Sequence, residues 1–287
     1  IKAHLRGLDG PGSSLDLPEF QKSLTEQGAL RVVDIPSTLT FASEFATKIR
    51  FEQLDDPDVV EYVAPDYGIT EDRPYRVRNK VRLVEDVNRP GALVTPHGMK
   101  DAPAYIFANL FGIRGVRIIC EEISPMARAG GMESSNAFMV ALLAGASMLS
   151  GRNLTWAEIF REAVRLENHE FRGLTGGQGH LASILGGVYR HIWQSGKKDE
   201  QGNLINPYGA FSIPVEVDKE GIESHMALVQ AGKKYRDGIE DVARTAELIN
   251  TMWTDLLRDR DEIGYPLHKE KIGLTARYNK ALMEGNW

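Results

Sequence analysis

Residues 126–151, MARAGGMESSNAFMVALLAGASMLSG, constrain this chain more than any other stretch. From Ser134 onward the run is apolar nearly all round, and a helix without a polar face has to be buried on most sides. The chain must therefore build a core that encloses it, and 287 residues suffice for one large domain or two smaller ones. The residues just ahead of the helix are Gly130, Gly131, Met132, Glu133, Ser134, Ser135 and Asn136. A small-residue turn opening a buried helix offers unpaired N–H groups and the positive end of the helix dipole to an anion. Ser134 and Ser135 would add hydroxyls for a phosphate or a magnesium ion. The plainer alternative is that one serine caps a core helix and binds nothing. Glu133 stands in the middle of this loop with the wrong charge for an anion site.

The rest of the chain alternates strand and helix signals without an internal repeat. ALRVVDI (29–35) and TLTFASEFATKIRF (38–51) read as strands, the second alternating like a half-exposed antiparallel strand. YRVRNKVRLV (75–84) alternates too, its Arg and Lys side chains marking a solvated sheet face. The stretch between them, residues 53–74, is acidic, carries three prolines, and reads as an edge strand and loop. GVRIICEEI (115–123) is a buried strand leading into the glycine–serine loop. After the apolar helix, Thr155 and Glu158 have capping-box spacing at the head of an amphipathic helix bearing Ile159, Phe160, Ala163, Val164 and Leu166. Residues 172–193 read as a glycine-rich loop, a short small-residue helix and a strand. A polar stretch (194–209) precedes a strand, AFSIPVEVD (210–218), and helices from about Ile222 to Leu257. The composition break near 195–208 divides the chain into expected domains 1–195 and 196–287.

Charge and cysteine content exclude whole classes of partner. A net charge of −6 and a pI near 5.7 leave no basic footprint for nucleic acid. No apolar stretch is long enough to cross a bilayer, and IKAHLRGLDG has no signal-peptide apolar core, so no membrane partner is expected. The single cysteine, Cys120, excludes an internal disulfide framework and fits a reducing, cytoplasmic compartment. Within VRIIC it reads as a buried, inert thiol. The chain begins without methionine and stops at Trp287, so trimmed ends are allowed for.

Two further glycine-bearing loops matter. In GPGSSLDLPEF (10–20), Asp16 is placed to cap a helix with Pro18 in its first turn and Glu19 completing the box. In LTGGQGHLASILGG (174–187), the glycines permit tight turns and close packing. No single loop is specific, but their order is. Together GSSLDLPEFQKSLTEQGALRVV, PMARAGGMESSNAF and ENHEFRGLTGGQGHLASILGG resemble the three signatures of the GHMP superfamily of small-molecule kinases. The nearest resemblance is to its heptose-phosphate and fucose-type sugar kinases, over roughly residues 5–190. The family's late glycine-rich motif does not occur before Trp287, so a truncated second domain is expected.

That resemblance implies an α+β, two-domain fold: an N-terminal phosphate-loop domain and a smaller ferredoxin-like C-terminal domain, with the active site between them. It implies ATP and Mg2+ as cofactors and a sugar or sugar phosphate as substrate, with a homodimer allowed. Residues 130–136 would line the triphosphate, with Ser134, Ser135 and Glu167 at the metal. Arg6, Gly12, Ser13, Ser14, Asp16, Gly176, Gly177 and Gln178 would line the substrate, and Asp16, Ser134, Ser135 and Glu167 would converge on one cleft. The family aspartate that orients the attacking hydroxyl falls on Gly179, while family glycines fall on Glu133 and Ala129. His180, beside Gly179, is the candidate substitute base, or else simply a polar residue at a helix start. Two expectations result: a kinase with altered catalytic residues, or a GHMP-fold protein that binds a ligand or partner without transferring phosphate.

Overall fold

A computed structural model describes residues 2–9, 37–65, 68–87, 90–121, 134–171, 175–193, 210–218, 220, 221, 224 and 277. The strand expected over 29–35, the boundary near 195–208 and nearly all of the helices expected over 222–257 lie outside these residues. The chain forms two compact units, Ile1–Leu5 with Ser43–Thr175 and Arg6–Ala42 with Gly176–Trp287. Strands and helices are mixed throughout, so the fold class is α+β as expected. Among the described residues no helix is long and apolar enough to cross a membrane.

Strand β1 (Lys2–Asp9) pairs with the long strand β2 (Ser37–Gln53). In the first unit the C-terminal part of β2 belongs to a sheet with β3 (Val59–Val63) and β4 (Tyr75–Arg78), a short hairpin of β5 (Val84–Glu85) and β6 (Leu93–Val94) stands apart, and β7 (Val116–Glu121) completes the sheet in the order β4–β3–β7–β2. β3 runs parallel to β7, and the other pairs are antiparallel. Alternation along the strands separates two faces. Val60, Tyr62, Ile118, Cys120, Ile49 and Phe51 share one face, on which Phe51 meets Phe107 with ring centroids 5.4 Å apart.

The opposite face carries a chain of ion pairs. Arg76 Nε lies 2.6 Å and Arg117 Nε 2.7 Å from the two carboxylate oxygens of Glu61. Arg117 reaches on to Glu52 at 3.7 Å, and Arg50 bridges Glu52 and Glu121. Arg78 pairs separately with Asp56 at 2.6 Å. The Arg-bearing face read from residues 75–84 is therefore solvated and paired.

This arrangement corrects the edge-strand expectation for the acidic stretch. β3 lies between β4 and β7 with all five residues buried. The acidic residue within it is neutralised from both sides, and Pro57 and Pro65 flank the strand rather than interrupt its ladder. β4 is also shorter than the expected 75–84, because Asn79 takes a left-handed conformation (φ 66°) that ends the extended run. Gly115 needs its own freedom: at φ 66°, a Cβ there would stand 3.2 Å from the Pro57 backbone.

A helical segment without a sequence expectation spans Gly98–Asp101, Ala102–Ala104 and Tyr105–Leu110, the last part π-helical. Buried Asp101 accepts hydrogen bonds from the Tyr75 hydroxyl and, at 2.8 Å, from the His97 backbone N–H. Burial first, and then the Asp101 carboxylate, push the Tyr75 phenol well above its ordinary pKa.

In the second unit, residues 37–41 of β2 pair with β8 (Val188–Trp193), which pairs with β9 (Ala210–Pro214), all antiparallel. Leu39, Phe41 and Val215 form an apolar cluster with Val188 and Val217 against it. On the other face the buried His191 ring bonds Thr40 Oγ1 at 2.8 Å and Ser212 Oγ at 2.9 Å, engaging both nitrogens.

Candidate functional site

Helix α1 (Ser134–Ser150) begins where the sequence places its serines. Burial extends from Asn136 to Ser147 with Phe138 half-buried, as an all-round apolar helix requires. Phe138, in the second turn, meets Tyr62 of β3 at 5.8 Å between ring centroids. The first turn carries no acidic side chain, and the positive end of a helix dipole favours an anion. Ser135 is exposed, and its hydroxyl donates to Asn136 Oδ1 at 3.1 Å. That bond occupies the proton and leaves the oxygen lone pairs directed elsewhere, the disposition a hard cation needs. Only the backbone of Ser134 is described, in the helix itself.

A short loop leads from α1 into α2 (Trp156–His169), which packs on it. Asn153 turns the loop through φ 51°, and Ser147 Oγ accepts from the Leu154 N–H at 2.7 Å. The capping box expected at the head of α2 is present, with Glu158 N donating to Thr155 Oγ1 at 3.3 Å and Thr155 N to Glu158 Oε2 at 2.8 Å. Helices packed across so short a loop run antiparallel. At 1.5 Å per residue, Ser135 stands about 22 Å along α1 from the turn and Glu167 about 17 Å along α2. By that count the two stand about one helical turn apart in height on neighbouring helices. Glu167 is only 4% exposed, on the face of α2 that buries Phe160, Ala163 and Leu166. Next to it, Asn168 clamps the following chain, accepting from Thr175 N at 2.9 Å and donating to Thr175 O at 3.0 Å.

In the second unit, helix α3 (Gln178–Leu185) opens at Gly177. Gln178, Gly179 and His180 are all buried in its first turn, His180 completely. Gly179 offers only backbone there, its carbonyl accepting from Ser183 Oγ at 2.8 Å. The helix ends at Gly186, whose φ of 68° requires glycine. Gly176 precedes the helix half-buried, and Arg6 is described only as backbone within β1. Gly12, Ser13, Ser14, Asp16, Gly130, Gly131, Met132 and Glu133 lie outside the described residues.

Magnesium keeps several waters and takes one or two carboxylates together with substrate phosphates. Among the described residues no three His, Cys, Asp or Glu side chains cluster as a ready-made metal cage. A serine hydroxyl together with one carboxylate would be a donor set of the former kind. The Tyr75–Asp101 pair was not foreseen, because its partners are 26 positions apart and no local pattern joins them.

Residues 98–187 match the family described as GHMP kinases N terminal domain, so the resemblance read from the sequence stands. No curated protein matches the chain. Among solved structures, a D-glycero-D-manno-heptose 1-phosphate kinase from Bacteriodes thetaiotaomicron is similar at 14% identity and a TM-score of 0.51, covering 77% of this chain. The chain spans 61% of that kinase. Lactococcus lactis galactokinase, solved with galactose, is similar at 13% identity and a TM-score of 0.55, over 99% of this chain and 70% of its own. Streptococcus pneumoniae phosphomevalonate kinase, solved with phosphomevalonate and AMPPNP, gives 11% identity and a TM-score of 0.52, over 99% and 74%. At such identities these likenesses establish the GHMP kinase fold alone.

Proposed function

We propose that the protein transfers a phosphoryl group from ATP to a hydroxyl of a sugar or sugar phosphate, with catalytic residues altered from the family pattern, and that it does so in the cytoplasm. The start of α1 supports the reading: an exposed serine hydroxyl in a first turn without acidic side chains, on a helix packed against the one that carries buried Glu167. The loop through Asn136 would cradle the phosphates, and Ser134, Ser135 and Glu167 would hold Mg2+. Bound there, the ion would neutralise phosphate charge and orient the terminal phosphoryl group. Asp16, Arg6, Gly12, Ser13, Ser14, Gly176, Gly177 and Gln178 would hold the acceptor. Domains 1–195 and 196–287 remain the proposed division.

Gly179 has no side chain to take the proton of the attacking hydroxyl. Loss of a general base usually lowers rates by about two to four decades. Phosphoryl transfer depends mostly on positioning and charge neutralisation, so the reaction survives such a loss in slower form. His180 is the nearest substitute in sequence, and its complete burial means that it acts only on a substrate that reaches into the interior.

A second reading, ligand or partner binding without phosphate transfer, is favoured by Glu133 and Gly179 themselves. Calorimetric titration with Mg-ATP separates the two. The wild-type chain is expected to bind, and Glu133→Gly to bind more tightly at low salt. A carboxylate 4 Å from a phosphate charge is repulsive by about 1 kcal/mol in water, roughly fivefold in affinity, and salt screens it. Weaker binding by the glycine variant would make Glu133 a metal ligand. Absence of binding by either form at millimolar concentration would sink the kinase reading in favour of the second.

A further inference from the structure

Asn168 stands in the last turn of α2, directly after buried Glu167, and its carboxamide makes three hydrogen bonds. Nδ2 donates at 3.0 Å to the Val164 carbonyl one turn back, which locks the side chain onto its own helix. The same nitrogen donates to Thr175 O at 3.0 Å, and Oδ1 accepts from Thr175 N at 2.9 Å. A carboxamide carries both donors and an acceptor, so this one side chain serves both backbone groups of a single residue, as a neighbouring strand would. One such bond would let the Thr175 peptide swing about it. Two opposed bonds fix its place and its plane. The helix end that carries the clamp is itself tied down. The Glu170 carbonyl accepts from Thr95 N at 2.9 Å and from Thr95 Oγ1 at 3.2 Å, and Phe171 packs edge-on against Tyr105.

What the clamp fixes is the start of a loop. Thr175 is the last residue of the first unit, and Gly176 and Gly177 follow it to the head of α3. Neither glycine has a side chain with which to set its own turn, and no other residue has so much backbone freedom. Their path therefore depends on how the peptide before them is held. Gly176, Gly177 and Gln178 are proposed above to hold the acceptor, and Glu167, one residue before the clamp, to hold the metal. We propose that Asn168 is a positioning residue for phosphoryl transfer: it ties the peptide from which the acceptor loop starts to the helix turn that carries Glu167, and acts through Thr175 rather than on a substrate. Such transfer depends on alignment of donor and acceptor, where a misplacement of about 1 Å can cost about a hundredfold. The proposal rests on the kinase reading and adds to it the residue that aligns the acceptor loop.

The test uses the full chain with Mg-ATP and a panel of aldohexoses, aldoheptoses and their monophosphates as acceptors, alongside titration with Mg-ADP and amide hydrogen exchange. Asn168→Ala is expected to bind Mg-ADP within about twofold of wild type, yet to lose about a hundredfold in kcat/KM for the acceptor that the wild type uses. Its Thr175 amide is expected to exchange about fivefold faster or more, the scale of one net hydrogen bond. Should the alanine variant not fold, Asn168→Asp, of nearly the same size, takes its place. Its ionised carboxylate still accepts from Thr175 N but has no proton for Thr175 O or Val164 O. A merely structural role would lower nucleotide binding and turnover together, and that result overturns the proposal. Turnover within about threefold of wild type, in a variant whose Thr175 amide has lost its protection, overturns the role of Asn168 alone and leaves the kinase reading standing. A wild type that phosphorylates no member of the panel overturns the kinase reading and this role with it.

Discussion

Tyr75 and Glu61 are two polar side chains placed where solvent cannot serve them well, and each is answered by a specific partner. Tyr75 donates to buried Asp101 while Lys100 sits 4.7 Å above its ring centroid. Burial and the neighbouring carboxylate both favour the protonated phenol, so its folded pKa lies above the unfolded value. Stability from this proton is complete below the ordinary tyrosine range and is lost as pH rises through the folded value. Tyr75→Phe is thus expected to flatten the alkaline limb of a stability profile, measured by urea unfolding from neutral to strongly alkaline pH. An unchanged limb would exclude Tyr75 as its source. Glu61 has an arginine on each carboxylate oxygen, with its own side chain 5% exposed and that of Arg76 63% exposed. Removing one partner of a fully buried pair usually costs about 3–5 kcal/mol, and solvent reaching the arginines lowers this, so Glu61→Ala is expected to cost about 2 kcal/mol in urea unfolding. A change under about 0.5 kcal/mol would mean the ion-pair chain is ornamental.

Helix α2 shows how much an element owes to its first turn. The Thr155 side chain takes up one otherwise orphaned N–H, and Thr155→Ala is expected to lower stability by about 1 kcal/mol. Hydrogen bonds from the Thr155 backbone and hydroxyl hold the Glu158 carboxyl below its ordinary range. Its contribution is accordingly present above the unfolded pKa and lost as pH falls through the folded one. The gap between wild type and Glu158→Gln should close in acid, and a gap that persists there would rule out the carboxylate as its cause. This helix was legible in the sequence because cap and periodicity agree within seventeen residues, 154–170. So was α1, whose apolar surround leaves no alternative. β3 was not, because its neutralising arginines come from strands distant in sequence and its composition taken alone is that of an edge. The segment over 98–110 escaped too, since its 3-10, α and π turns share no single period for a pattern to reveal.

At the scale of the whole molecule, the α+β class and the family resemblance were carried by the order of three glycine-bearing loops rather than by any one of them. The match over 98–187 takes in the second and third of those loops, while Asp16 in the first lies outside the described residues. By residue type the sequence nominates Ser135 and Glu167 for the proposed site, and the structure packs the helices that carry them against each other. The parallel pairing of β3 with β7 also sets a clock. Parallel neighbours cannot close through a tight turn, and here residues 64–115 must be made before β7 exists. At about 5–20 residues per second of synthesis, β3 waits several seconds with β4 as its one available neighbour among the strands of its sheet. For that interval a newborn chain displays Val59, Val60, Tyr62 and Val63 along an unoccupied strand edge, a window in which chaperones, or other nascent copies, compete with β7 for the same hydrogen bonds.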